Sequence, residues 1–239
     1  MTIENKQILK YQRQIIKTDD SYTHKIPCFS KTYEFKHQSI LSKDDEFNDI
    51  FTTCSNYLLD SEHSIRVSVL IEKFSELLNL PNNLCLDFKK FSLIHDVGKL
   101  LINPDILNKP GKLSEEEYEI VKKHSELGAE IIGDDPFFKT GKDISLYHHE
   151  RYDGQGYPRK INGNSIPISA RILSIIDVYD GLTSDRVYRK ALPLSEAINI
   201  MKEMTGKFDP IFFKIFLTNI QNLIEWKRNK NKKNYVYIY

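Results

Sequence analysis

The sequence has few cysteines, almost no net charge and no long apolar run, and each of these absences excludes a class of protein. The three cysteines, Cys28, Cys54 and Cys85, are odd in number and far apart. This fits a reducing cytosol, with core packing as the expected role of Cys54 and Cys85. A formal net charge of +1 gives no reason to expect duplex nucleic acid or an acidic membrane as a partner. No apolar run approaches the roughly 20 residues that a helix needs to span a bilayer.

The remaining composition is that of an ordinary globular protein. Hydrophobic residues make up 40% and charged residues 28% of the 239 positions, which is enough to bury the core of one domain. The N-terminal residues do not have the pattern of a signal peptide. We therefore expect a cytoplasmic protein without a membrane span.

Apolar residues recur at three- and four-residue steps through the middle of the chain, a pattern that predicts an all-α fold. Ser114 and Glu117 form a capping box at the start of one of these helices. The predicted helices cover residues 46–80, 88–101, 115–132, a shorter stretch ending near 148–150, 169–182, 194–204 and 210–226. Residues 151–167 are rich in glycine and form a long loop, and loops of this length are usually functional.

The two ends of the chain lie outside this pattern. Residues 1–45 form an N-terminal extension of unknown role, residues 46–226 form the helical domain, and residues 227–239 form a basic, tyrosine-rich tail. The segment 33–37 and the tyrosines of the tail have strand propensity and could pair as a small sheet. For the basic residues 227–233 we prefer a simpler interpretation. They form a solvated helix end, where positive charges complement the helix dipole.

Two pairs of adjacent polar residues, His95-Asp96 and His148-His149, lie in otherwise apolar helical sequence. Such groups are costly to bury without partners, and a metal cluster is a natural way to compensate them. Five of the seven histidines lie in the helical patterns of the central region. This clustering indicates a metalloenzyme.

Each of the other candidates is weak evidence when it is taken alone. His63 and His124 could be surface residues or satisfied core histidines, whereas Asp177 follows Ile175-Ile176 in an apolar run that would not accept an unpaired carboxylate. Five histidines and two carboxylates on consecutive helices are strong evidence together. Imidazole and carboxylate ligands suit Mn, Fe, Co, Ni or Zn.

Asp96 is the best-placed bridge between two ions, because its neighbour His95 can bind one of them. A two-ion site with a spacing of roughly 3.5–4 Å can hold a shared hydroxide and clamp a phosphoryl group. Hydrolysis of a phosphoester also needs a proton for the leaving oxygen. Lys99 lies three residues after Asp96, so we expect it on the same helical face.

These motifs resemble those of a known family. The segment His95-Asp96-Val97-Gly98-Lys99 resembles the signature of the HD superfamily of metal-dependent phosphohydrolases. Four further segments resemble motifs of the HD-GYP subgroup: residues 104–112, 148–158, 177–186 and 208–210. The resemblance covers roughly residues 55–220 and implies a helical bundle with a long Gly-Tyr-Pro loop.

The resemblance implies a bacterial phosphodiesterase that hydrolyses cyclic di-GMP at a binuclear site with a bridging hydroxide, either to linear pGpG or as far as GMP. Lys99 would protonate the leaving oxygen, Tyr157 would line the guanine or phosphate pocket, and Arg151 with Asp153 would fix the loop. Two further residues would hold phosphates, Arg186 and Arg189. Matched motif by motif, the metal ligands would be His63, His95, Asp96, His124, His148, His149 and Asp177.

The sequence departs from the family pattern one helical turn before the first histidine. Family members with three metals have a Glu there, and this chain has Leu59. Glu62 is adjacent to His63, so it points roughly 100° around the helix, and Asp60 is only a remote substitute. We therefore predict two divalent ions per chain, Fe or Mn first, with Ni, Co or Zn as alternatives.

Two other functions stay open at this point. The chain could be a catalytically weak protein that binds a cyclic dinucleotide and signals through a partner, although a pure binder has no need of Lys99 beside two metals. It could also hydrolyse another cyclic dinucleotide, such as cyclic GMP-AMP. The N-terminal extension could support a homodimer or bind a signalling partner.

Overall fold

The computed structural model describes residues 42–58, 61–185 and 190–232, and these residues form helices and loops without a β-strand. The predicted all-α class is confirmed. The predicted sheet between segment 33–37 and the tail, and the side chains of Arg186 and Arg189, lie outside the described residues. The helices are α1 Lys43–Tyr57, α2 Ser61–Leu77, α3 Asn82–Ser92, α4 Pro104–Leu107, α5 Glu115–Lys122, α6 His124–Ile132, α7 Lys139–Tyr147, α8 Ile168–Thr183, α9 Leu194–Glu203 and α10 Pro210–Lys232.

The predicted continuous helix over residues 46–80 is wrong, because two helices occupy this range. Helix α1 ends at Tyr57, where Leu58 adopts an extended conformation with φ −97° and ψ 128°. Helix α2 then begins at Ser61. The apolar spacing is similar on both sides of the break, so periodicity alone does not reveal it.

The predicted helices over residues 88–101 and 115–132 are also interrupted, each beside a histidine. Helix α3 ends at Ser92, and His95 and Asp96 lie on a tight turn before a 3₁₀ segment, Val97–Leu101. A second break at Lys123 makes His124 the first residue of α6. In both places the histidine Nδ1 donates a hydrogen bond to the backbone carbonyl oxygen of the residue three positions earlier, with a distance of 2.7 Å between the two atoms. The side chain thus uses a carbonyl that would otherwise serve the α-helix.

The core lies where α2, α3 and α8 pack together, with α10 against α2. Phe74 of α2 and Phe216 of α10 are fully buried, with ring centroids 5.6 Å apart. Each large apolar side chain buried in this way contributes roughly 1.5–3 kcal/mol. Cys54 and Cys85 are buried free thiols, which confirms their predicted role in packing. This core holds α2 and α8, which carry two of the candidate ligands.

Gly98 allows the 3₁₀ segment to lie directly on α6. A Cβ at this position would lie 1.9 Å from the carbonyl oxygen of His124 and 2.5 Å from the backbone nitrogen of Gly128. Only glycine fits such an approach of two backbones. The contact places Asp96 and Lys99 beside His124.

Helix α10 continues to Lys232, so the start of the basic run is helical, as the simpler interpretation of this segment requires. Within the part of the chain that the structure covers, no helix combines the length and the apolar character needed to cross a bilayer.

Candidate metal centre

The structure brings all seven candidate ligands into one cluster, although they come from five separate elements. His63 is on α2, His95 and Asp96 are on the turn after α3, and His124 begins α6. His148 caps α7 with His149 directly after it, and Asp177 lies on α8. The buried members are 7% exposed or less: His63, His95, Asp96, His124 and His148. Asp177 and His149 are half-buried, and His149 lines the adjacent cavity.

The ligand atoms form two groups of three. One group is His63, His95 and Asp177, and the other is His124, His148 and His149; within each, the ligand atoms lie within 4.8 Å of one another. Asp96 lies between the groups. Its Oδ2 is 3.4 Å from His95 Nε2, and its Oδ1 is 3.4 Å from His124 Nε2. Each group could hold one ion, with the Asp96 carboxylate facing both.

Backbone carbonyls set the tautomer of three of these histidines. His95 Nδ1 donates to Ser92 O and His124 Nδ1 to Val121 O, both at 2.7 Å. His148 Nδ1 lies 3.0 Å from the carbonyls of residues 144 and 145. Because a carbonyl only accepts hydrogen bonds, the proton is on Nδ1 and the Nε2 lone pair faces the cluster.

The Nε2 atom of His95 is buried and accepts no hydrogen bond within the part of the chain that is described. A buried polar atom without a partner costs about 1–3 kcal/mol. A metal ion would use that lone pair directly, so the residues present fit a metal ion.

Asp180 orients His63, and the sequence analysis did not assign it a role. It is fully buried and accepts from His63 Nδ1 at 2.8 Å, from Arg66 Nε at 3.0 Å and from Ser184 Oγ at 2.9 Å. This leaves His63 Nε2 to face Asp177, 3.0 Å away. Asp180 lies one helical turn after Asp177, and that spacing is the signal that could have identified it.

The substitution Asp180→Asn should weaken metal binding about 10–100-fold, because the outer carboxylate fixes the ring and raises the basicity of the ligand nitrogen. The measurement is competition with a chelator of known affinity. Asp49→Asn, at an exposed position on α1, is the matched control and should bind metal as the wild type does. Equal affinity in both variants would show that Asp180 serves only the fold.

The cluster holds most of its groups in the protonation state that metal binding needs. Burial and the neighbouring imidazoles lower the pKa of His148 to about 3 and lower the pKa of His149 and His124. Burial also opposes ionisation of Asp96, but Lys99 and His95 outweigh it and hold the pKa of Asp96 well below its usual range. His63 is the exception, because Asp177 and Asp180 outweigh burial and raise its pKa to about 9.

Metal binding at pH 7.5 should therefore release at least one proton. The pKa of His63 lies above that pH in the metal-free protein, so the ring is protonated and must lose its proton to become a ligand. His148, with a pKa of about 3, is already neutral. Calorimetric titration in buffers of different ionisation enthalpy measures the release, and His63→Gln should reduce it. Binding without net release in the wild type would contradict the proton on His63.

A cavity of about 410 Å³ lies beside the cluster, a size within the usual range for small-molecule sites. Its walls combine two cluster histidines with three cationic and two aromatic side chains. The lining residues are Lys99, Tyr118, Val121, His124, His149, Arg151, Gln155, Gly156, Tyr157 and Lys207. Lys99 Nζ lies 2.5 Å from Asp96 Oδ2, which confirms that the two share a face.

The glycine-rich loop forms one wall of this cavity. The ring of Tyr157 stacks on His149 with centroids 4.8 Å apart, so it both lines the cavity and supports a cluster histidine. Arg151 donates to both carboxylate oxygens of Asp153 and to Thr205 O, which confirms that this pair fixes the loop. A Cβ at Gly156 would lie 2.3 Å from Arg151 N. This glycine therefore lets the loop fold onto itself.

The side chain of Glu62 is 88% exposed and points to Arg66, 3.6 Å away. The prediction that it does not contribute to the cluster is confirmed. Leu59 and Asp60 lie outside the described residues.

Comparisons with known proteins identify the family of this chain. A family model described as HD domain matches residues 52–211. A cyclic di-GMP phosphodiesterase of Pseudomonas aeruginosa is 40% identical over 156 residues, which are 65% of this chain and 38% of that protein. A 3'3'-cGAMP-specific phosphodiesterase of Vibrio cholerae is 34% identical over 172 residues, 70% of this chain and 37% of that protein. The chain thus spans less than half the length of these relatives.

A solved structure of an HDG"Y"P protein from Bdellovibrio bacteriovorus has the same fold. It superposes with a TM-score of 0.55 at 22% identity and covers 74% of this chain and 60% of that chain.

Proposed function

The chain belongs to the HD domain family, and we propose that it is a metal-dependent phosphodiesterase that hydrolyses cyclic di-GMP to linear pGpG and then to GMP. The observation that carries the proposal is the pair of ligand groups joined by Asp96 beside a cation-lined cavity. A catalytic metal cluster needs such a cavity, because the substrate must reach it.

The proposed cofactor is a pair of divalent ions, Fe or Mn first, with Ni, Co or Zn as alternatives. Such ions supply Lewis-acid activation of the phosphodiester and of the attacking water. The group of His63, His95 and Asp177 would hold one ion, and Asp96 would contact both. The other ion would be held by His124, His148 and His149.

Lys99 is the proposed proton donor to the leaving 3′ oxygen. Its ammonium lies against the Asp96 carboxylate and also lines the cavity, so it stands where the cluster meets the substrate. Tyr157 would form a wall of the nucleotide pocket. Arg186 and Arg189, which lie outside the described residues, are proposed from the sequence alone to hold phosphates, because the guanidinium fork binds two oxygens at once.

Cyclic GMP-AMP is the second candidate substrate. Relatives named as 3'3'-cGAMP-specific phosphodiesterases match this chain at 34% and 41% identity, close to the values of the relatives named for cyclic di-GMP. A protein that only binds and signals is less well supported, because the chain has all seven proposed ligands of a two-ion site together with Lys99.

The test is turnover by protein reconstituted with Fe or Mn under anaerobic conditions, with products separated by chromatography. We expect pGpG to accumulate first and GMP to follow. Cyclic GMP-AMP and cyclic di-AMP, supplied at the same concentration, report which base the site prefers. Intact cyclic di-GMP after incubation with protein of verified metal content would refute the proposed substrate.

Residues 46–226 are the proposed catalytic domain, acting in the cytoplasm. The proposed roles of residues 1–45 are self-association or contact with a signalling partner.

A further inference from the structure

Lys207 is held at the cavity by the glycine-rich loop. It lies on the segment between α9 and α10, where its carbonyl oxygen accepts from Tyr152 N at 3.0 Å. The neighbouring Gly206 O accepts from Asp153 N at 2.9 Å. These bonds fix the segment against the loop, and the Lys207 side chain lines the cavity.

Among the residues that the structure describes, Lys207 differs from the other two cations of the cavity in having no carboxylate bonded to it. Lys99 contacts Asp96, and Arg151 pairs with Asp153 at 2.6 Å. Within the part of the chain that the structure covers, Lys207 Nζ makes no hydrogen bond or ion pair, and it lies 5.9 Å from the centroid of the Phe208 ring. Burial lowers the pKa of Lys207. The carboxylates of Asp177 and Asp153 attract this ammonium only through space, and burial outweighs them. A half-buried ammonium without a bonded counter-charge is costly, and an anion that enters the cavity would relieve the cost.

The segment that carries Lys207 contributes no ligand to the cluster, whose residues come from α2, α6, the C-terminal end of α7, α8 and the turn after α3. A cyclic dinucleotide has two phosphodiester groups, each with one negative charge. A phosphate bound at the cluster would contact the proposed ions and Lys99. The second phosphate then needs its own partner, and among the described residues Lys207 is the cavity cation that no carboxylate binds directly.

We propose that Lys207 binds the phosphate of a cyclic dinucleotide that is not being hydrolysed. The inference rests on the proposed function and extends it, because it names a residue that selects substrates with two phosphates. A lysine suits this role, since its ammonium acts as a compact point charge on a flexible stem. Substrates with a single phosphodiester should not depend on it.

The experiment compares two substrates on metal-loaded protein: cyclic di-GMP and bis(4-nitrophenyl) phosphate, which has one phosphodiester. Lys207→Met keeps the side-chain length and removes the charge. We expect the KM for cyclic di-GMP to rise about tenfold, as for loss of a hydrogen bond to a charged group, with kcat nearly unchanged. The kcat/KM for bis(4-nitrophenyl) phosphate should stay within about twofold.

Lys202→Met is the matched control, because Lys202 is exposed on α9 and does not line the cavity. It should leave both substrates unaffected. Lys207→Arg should restore most of the affinity for cyclic di-GMP, which a merely structural role would not require. Lys207→Gln replaces Lys207→Met if that variant does not fold.

An unchanged KM for cyclic di-GMP in Lys207→Met would overturn the inference. Equal losses with both substrates would also overturn it, because Lys207 would then act at the reacting phosphate. Failure of the proposed function is recognised separately: the wild type would cleave bis(4-nitrophenyl) phosphate but leave cyclic di-GMP intact.

Discussion

Asp96→Asn should reduce kcat for cyclic di-GMP by about 1,000-fold or more, which corresponds to about 4 kcal/mol of transition-state stabilisation. The two oxygens of Asp96 face different ligand groups, Oδ2 towards His95 and Oδ1 towards His124. An asparagine offers one oxygen and one amide group, and the amide group does not bind a metal ion. The variant should therefore lose at least one ion as well as turnover, which elemental analysis and steady-state kinetics measure together.

The Asp96→Asn experiment needs a control for folding, because Asp96 is buried. Circular dichroism should show wild-type helix content in the variant, and Asp49→Asn at the surface should keep both metal and activity. If Asp96→Asn retained turnover with a full metal complement, Asp96 would not bridge the two groups. If it lost its helix content instead, the residue would be structural.

Removal of the metal ions should abolish turnover and lower the Tm by about 10 °C. A ligand present at 1,000 times its Kd stabilises the folded state by about 4 kcal/mol, and each kcal/mol shifts the Tm by about 2–4 °C in a domain of this size. In the metal-free protein, the buried Nε2 of His95 has no partner and the pKa of His148 is lowered to about 3. A bound ion would accept the free lone pairs of these two histidines and so stabilise the folded state.

The measurement is thermal denaturation and kinetics before chelation, after chelation and desalting, and after anaerobic reconstitution with Fe or Mn. About two ions per chain should return with activity, in agreement with the two ligand groups. Asp180→Asn should need a higher metal concentration for the same recovery. If chelated, metal-free protein kept its full Tm and its turnover, the cluster would not be a metal site.

The sequence was sufficient to select the residues that meet in the cluster, because these residue types occur together on consecutive helices and several of them conflict with apolar surroundings. A carboxylate after Ile175-Ile176 and two adjacent imidazoles after Leu146 are costly to bury, so their presence indicates a compensating group. The all-α class was equally accessible, because it depends only on the repeat of apolar positions along each helix. The place of Lys99 beside Asp96 followed from a local spacing that a 3₁₀ segment preserves.

Other features depended on contacts between distant segments. The breaks at Leu58 and beside His95 and His124 were missed, since a helical pattern continues through them, and a side chain that takes a backbone carbonyl leaves no mark in periodicity. Periodicity assigns residues to a face of one helix and says nothing about distances between helices. The division into two ligand groups, the support of His63 by Asp180 and the position of Lys207 in the cavity were therefore decided by tertiary packing alone.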